Sequence, residues 1–261
     1  MHSRSFASIV TGAIAVAAAA GTCFATDVQV RDAPGGMTVT NPASTEGLFL
    51  QPTGARLHAR TQIAPAFKDF ASGTFAFERR AAGSSDPWVA FKTYCFEPDV
   101  GISFAAFPSN TTGVTYKQAS VLAQPGITAA EATQLEILWK NAFADSMTSN
   151  VKAAAFQSIV WELGSTDASF DLSAGNFQIM VGTEGTINID EAAVKAQADA
   201  WYANIGTVWT EGTLLDILVS SNSQNLIVER PPETMIPLPT AGLMASVGLI
   251  GLASRRRRSI A

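Results

Sequence analysis

The sequence predicts an α+β fold, a β-sandwich or barrel-like domain with inserted helices, flanked by a signal peptide and a C-terminal membrane or sorting helix. Three observations carry this. Residues 27 to about 118 are rich in Gly, Pro, Thr and Phe, with alternating stretches between turn residues, the pattern of short strands. Three later segments place apolar residues at helical spacing. Both ends carry apolar runs beside basic residues. With 47% hydrophobic and 15% charged residues among 261, the chain can bury the core of one ordinary domain.

Residues 1–25, "MHSRSFASIVTGAIAVAAAAGTCFA", combine a short basic start, an apolar run and small residues at a cleavage point, and read as a secretory signal peptide. Residues 26–66 form a β-rich N-terminal extension without a motif. From 67 to 229 runs the main domain. Strands are expected in "GTFAFERR" and "WVAFKTYCFE", with turns at "AAGSSDP" and "PDVG". A helix follows in "ITAAEATQLEILWKNAFADSM", opened by a Thr128–Glu131 capping box and striped by Leu135, Leu138, Trp139, Ala142 and Phe143. A second helix is expected in "SNVKAAAFQSIVWELG", capped by Ser149 or Asn150 and stopped by Gly164. The third begins at Asp190 and carries Val194, Ala198, Trp201 and Ile205 to Gly206. "TLLDILVSSNSQNLIVE" reads as a closing hairpin. A Pro-rich linker, 230–239, leads to an apolar segment at 240–261 with Arg255, Arg256, Arg257 and Arg258 as a membrane stop.

Composition excludes several functions. The net charge of −5, with no internal basic cluster, argues against nucleic acid. Once His2 leaves with the signal, His58 stands alone, so no metal site and no cofactor is expected. Cys23 also leaves with the signal, and Cys95 remains without a disulfide partner.

On the second helix Gln157 shares the face of Ala153, Phe156, Val160 and Trp161. A buried primary amide without a partner costs about 1–3 kcal/mol, so Gln157 should have one. A backbone partner is the common arrangement. The other arrangement joins it to the lone thiol: Cys95 and Gln157, held together in a dry pocket, condense with loss of ammonia to a thioester. Tyr94, Phe96, Phe156 and Trp161 are placed to shield such a bond, and Glu97 and Glu162 to position an incoming amine.

These residues resemble a known family. "TYCFEPD" followed by "AAAFQSIVWEL" is similar to the bacterial thioester domain, whose cysteine sits in a strand and whose glutamine sits in a helix. The likeness extends from about Phe67 to Val228, with Phe156 and Ser158 as departures in the glutamine motif. The tail, Ile236, Pro237, Leu238, Pro239, Thr240 and the arginines, resembles a PEP-CTERM sorting signal of the "VPLPA" type, with Leu238 where the class has glutamate. The resemblance implies a surface protein held in the envelope by its C-terminal helix and processed by an exosortase-type enzyme. It also implies covalent capture of an amine-bearing partner, such as a protein lysine, in a single turnover and without enzymatic activity. Two other readings stand beside it: a structural envelope or matrix protein with an inert thiol, and a cysteine hydrolase using Cys95 and His58.

Overall fold

The computed structural model describes residues 27–33, 54–61, 68–100, 113–165, 169–181 and 190–231. The elements are β1 (Asp27–Asp32), β2 (Gly54–Thr61), β3 (Lys68–Gly73), β4 (Phe75–Ala81), β5 (Val89–Cys95), β6 (Val114–Ser120), α1 (Ala129–Ser146), α2 (Asn150–Gly164), β7 (Phe177–Ile179), α3 (Glu191–Asn204), β8 (Leu215–Val219) and β9 (Leu226–Glu229). Six strands close an antiparallel barrel in the order β1-β4-β5-β9-β8-β6, and the other three form a sheet in the order β3-β2-β7. The α+β barrel expectation therefore stands.

Strand register decides which side chains face the barrel interior, because residues paired across strands share a face. The pairs Val30↔Arg79, Phe77↔Phe91, Phe75↔Thr93, Cys95↔Leu226, Leu218↔Leu226, Gln118↔Leu218 and Val28↔Tyr116 all lie on one face. Most of these residues are buried, whereas Ala90, Lys92, Thr115 and Lys117 on the other face are exposed. Cys95 and Tyr116 therefore point into the barrel. Tyr94, Ile217 and Ile227, on the outer face, are buried as well. There the helices cover the barrel.

Each helix starts where a side chain can satisfy its free N–H groups. The capping box is present, with Thr128 accepting from the Glu131 N–H and Glu131 accepting from the Thr128 N–H. Ser149 accepts from the Lys152 N–H, and Asp190 accepts from the Ala193 N–H. Helix α2 differs from the single apolar face expected for it. Every residue from Ala153 to Leu163 is buried. Its neighbours on all sides, α1, α3, β5 and the β2–β3 sheet, account for this.

The expected boundary near residue 66 cuts through both sheets. β1 fills the place between β4 and β6, and β2 holds β3 and β7 together. Residues 27–33 and 54–61 are thus parts of the fold and not an extension of it. Alternation in "DVQVRD" is too short to announce a barrel strand, whose partners lie far along the chain. The expected signal peptide, the motif Ile236–Pro239, the expected C-terminal helix and the four arginines lie outside the described residues. Among the described residues no helix is long and apolar enough to cross a membrane.

Candidate functional site around Cys95

Cys95 ends β5 and is buried, as are Tyr94 before it and Phe96 after it. At this point β4 has already ended, since its first residue, Phe75, pairs with Thr93. The amide of Gln157 takes the position a neighbouring strand would occupy. Its Oε1 accepts from the Cys95 N–H at 3.1 Å and its Nε2 donates to the Cys95 carbonyl at 2.7 Å. One side chain from α2 thus completes the hydrogen bonding of a buried strand end.

The thiol faces elsewhere. Tyr94 stacks on Phe156 of α2 with ring centroids 4.4 Å apart, so its neighbour Cys95 must point the opposite way, into the barrel. There Cys95 Sγ meets Gln224 in the β8–β9 loop, donating to Oε1 at 2.6 Å. The expected pairing of the thiol with Gln157 is corrected accordingly: Gln157 serves the main chain of Cys95, and Gln224 receives its sulfur. Alternation along β5 was the signal available in the sequence. "SQNLIV" is legible as a strand, but its glutamine carries no pattern of its own.

The Gln224 amide is held at both ends. Its Nε2 donates to the Glu97 carbonyl, and Ser223, Gln224 and Asn225 are all buried. Asn225 ties the loop to the strand, its carbonyl accepting from the Phe96 N–H at 2.9 Å and its side-chain oxygen accepting from the Ser220 N–H at 3.0 Å. The Glu97 carboxylate accepts from the Asn225 N–H at 3.4 Å. Burial, with the charge of Glu97 adding to it, pushes the Cys95 thiol well above its ordinary range. In this state the sulfur is a weak nucleophile.

The remaining expected residues divide. Tyr94 and Phe156 lie together under α1, where Trp139 and Phe143 meet them edge-on. Phe96 lies on the end of α2, its ring 3.3 Å from where a side chain at Gly164 would begin. Trp161 packs between Phe70 and Phe177 of the three-stranded sheet, away from the barrel interior. Glu162 also turns from the thiol, accepting from the Asp171 N–H at 2.9 Å. His58 sits on β2 in the other sheet, opposite Asp69. A cleft of about 240 Å³ opens beside Phe96 and Glu97, with Pro98, Asp99, Gly164 and Phe177 among its walls. Among the described residues no group of His, Cys, Asp and Glu is arranged to hold a metal ion.

Comparison with family models, with curated proteins and with solved structures finds no match to this chain.

Proposed function

We propose that this chain is an exported surface protein that attaches covalently to an amine-bearing partner through an internal thioester between Cys95 and Gln224. One observation carries the reading: the 2.6 Å approach of Cys95 Sγ to the Gln224 side-chain oxygen in a closed site. Sulfur is larger than oxygen, yet this separation is at the short end of the range for an O–H···O bond. It matches the distance between a sulfur and a carbonyl oxygen that share one carbon.

The chemistry balances without a cofactor. The thiol adds to Cδ of Gln224, its proton passes to the amide nitrogen, and ammonia leaves as the S–C bond persists. Holding both groups in contact supplies the effective concentration that the free reaction lacks. A primary amine then adds to Cδ, expels the sulfur and leaves an amide cross-link, while Cys95 regains a proton. A thiol is far more acidic than an amine, so sulfur is the group that departs. Glu97, which is hydrogen-bonded to the loop that carries Gln224, supplies a carboxylate to meet the amine.

In this reading the signal peptide exports the chain, the C-terminal apolar segment with its arginines holds it in the envelope, and the Ile236–Pro239 motif presents it to an exosortase-type enzyme. A structural protein with an inert thiol is favoured by a different observation, the full engagement of Gln157 by the backbone. A cysteine hydrolase draws no support. Reactive thiols have lowered pKa values, whereas that of Cys95 is raised, and His58 belongs to the other sheet.

The intact mass of the purified chain separates the readings. The thioester predicts a mass one ammonia below the sequence, resistance of the folded protein to thiol alkylation, and gain of methylamine at Gln224. A chain of full mass, whose Cys95 is alkylated on mild unfolding without any amine treatment, would leave the structural reading.

A further inference from the structure

Among the described residues, Tyr116 is a buried ionisable group at the Gln224 end of the barrel that the chemistry above leaves unused. It lies on β6, where register fixes its place. Cys95 is paired with Leu226, Leu226 with Leu218, and Leu218 with Gln118. Tyr116 is two residues from Gln118 on the same face, in the direction of the β8–β9 loop. This puts its side chain inside the barrel, one layer from Cys95 and level with the loop that holds Gln224. The residue is wholly buried. Its hydroxyl is shielded from solvent and close enough to the Ser223 side chain to be influenced by it, but makes no hydrogen bond of ordinary geometry among the described residues.

A phenol kept dry and incompletely bonded is costly, which makes it a group to explain. We propose that the Tyr116 hydroxyl is the proton relay that serves the Cys95 sulfur when the thioester opens. The proposal rests on the Cys95–Gln224 reading. An attacking amine acquires a positive charge as its nitrogen bonds to Cδ, and the sulfur acquires a negative charge as it leaves. In a largely dry interior a fixed side chain carries the proton more readily than bulk water does. Tyr116 gives its phenolic proton to the sulfur and takes one from the amine nitrogen through the Ser223 hydroxyl. The phenol is regenerated and no outside acid or base is consumed.

The electrostatics agree with this placement. Burial, together with the charge that Cys95 bears as a thiolate, pushes the Tyr116 phenol up to about 12, while Ser223 acts in the opposite direction. Burial raises the thiol as well. Burial thus raises donor and acceptor in the same direction. A phenol with this pKa remains protonated, and able to donate, throughout the neutral range.

Tyr116→Phe removes the hydroxyl and retains the ring that fills the barrel. The test follows the wild-type and variant chains by intact mass, first for the ammonia deficit and then for its loss with methylamine and in buffer alone. Relay predicts that the variant still carries the deficit, but that methylamine opens it at least about tenfold more slowly, the lower end of general acid–base effects being larger still. Hydrolysis in buffer expels the same sulfur and should slow as well. That second rate distinguishes a relay from packing, because a loosened barrel would admit water and hasten hydrolysis. An aminolysis rate within about twofold of wild type would overturn the relay, as would faster hydrolysis or a variant whose bond has already decayed. A wild-type chain of full mass would remove the bond itself, and with it the relay.

Discussion

Gln157 and Gln224 are two buried primary amides beside one cysteine, and their contacts assign them different tasks. Gln157→Ala strips the N–H and carbonyl of Cys95 of their partners inside the core. Each group left unsatisfied costs about 1–3 kcal/mol, so the variant should melt at a lower temperature while keeping the ammonia deficit in its folded fraction. Gln224→Ala should lose the deficit outright. Its Cys95 then becomes a free thiol that burial and Glu97 keep protonated, so iodoacetamide at pH 8 should label it slowly until the chain is unfolded. A Gln157→Ala chain of full mass beside a Gln224→Ala chain with the deficit would restore the helix glutamine as the sulfur's partner. The sequence made the lone cysteine and the buried amide on α2 legible, because each violates the composition around it. It did not show which amide the sulfur faces. That depends on the parity of β5 relative to α2, and the residues that set it, Tyr94 and Phe156, are simply apolar when read along the chain.

Helices were more legible than strands, for a physical reason. Capping and 3.6-residue spacing are local, so Thr128 with Glu131, Ser149 and Asp190 mark where α1, α2 and α3 begin. Strands depend on distant partners. β1 is paired with β4 and β6, and β7 is only three residues long, a length at which no alternation is visible. The β1–β6 edge also depends on one glycine. Gly113 precedes β6 with φ +73°, and a Cβ there would lie 2.5 Å from the Val30 carbonyl oxygen and 3.1 Å from the Trp88 ring. Backbone cannot yield as a side chain does. Gly113→Ala should therefore combine a strained φ with displacement of β1, and lower stability by more than the ~1 kcal/mol typical of a point substitution. Denaturant unfolding measures this; a loss under about 0.5 kcal/mol would show that β1 moves aside freely.

On the scale of the whole molecule, the ends and the centre follow different physics. The patterns that suggest a signal and a sorting tail are compositional, so they are visible without a fold. The centre is one closed barrel braced by a second sheet, and closure is a property that no segment has alone. A barrel that loses a strand exposes two edges. Without β1, the edges of β4 and β6 are unpaired and the interior loses Val28 and Val30, both buried. Without β2, β3 and β7 lose the strand that joins them and α2 loses part of its cover, including the buried Leu57 and Ala59. A fragment spanning 67–231 retains every residue of the thioester resemblance, Cys95, Gln157 and the "SQNLIV" strand included, but neither of these strands. A fragment spanning 27–231 retains both. The longer one should unfold in a single cooperative thermal transition and carry the ammonia deficit. The shorter one should show no cooperative transition, aggregate through its open edges and keep full mass, because condensation needs Cys95 and Gln224 held together in a dry interior. A shorter fragment that melts cooperatively and lacks one ammonia would mean that the barrel closes without β1, and that the boundary drawn from the resemblance alone was the right one.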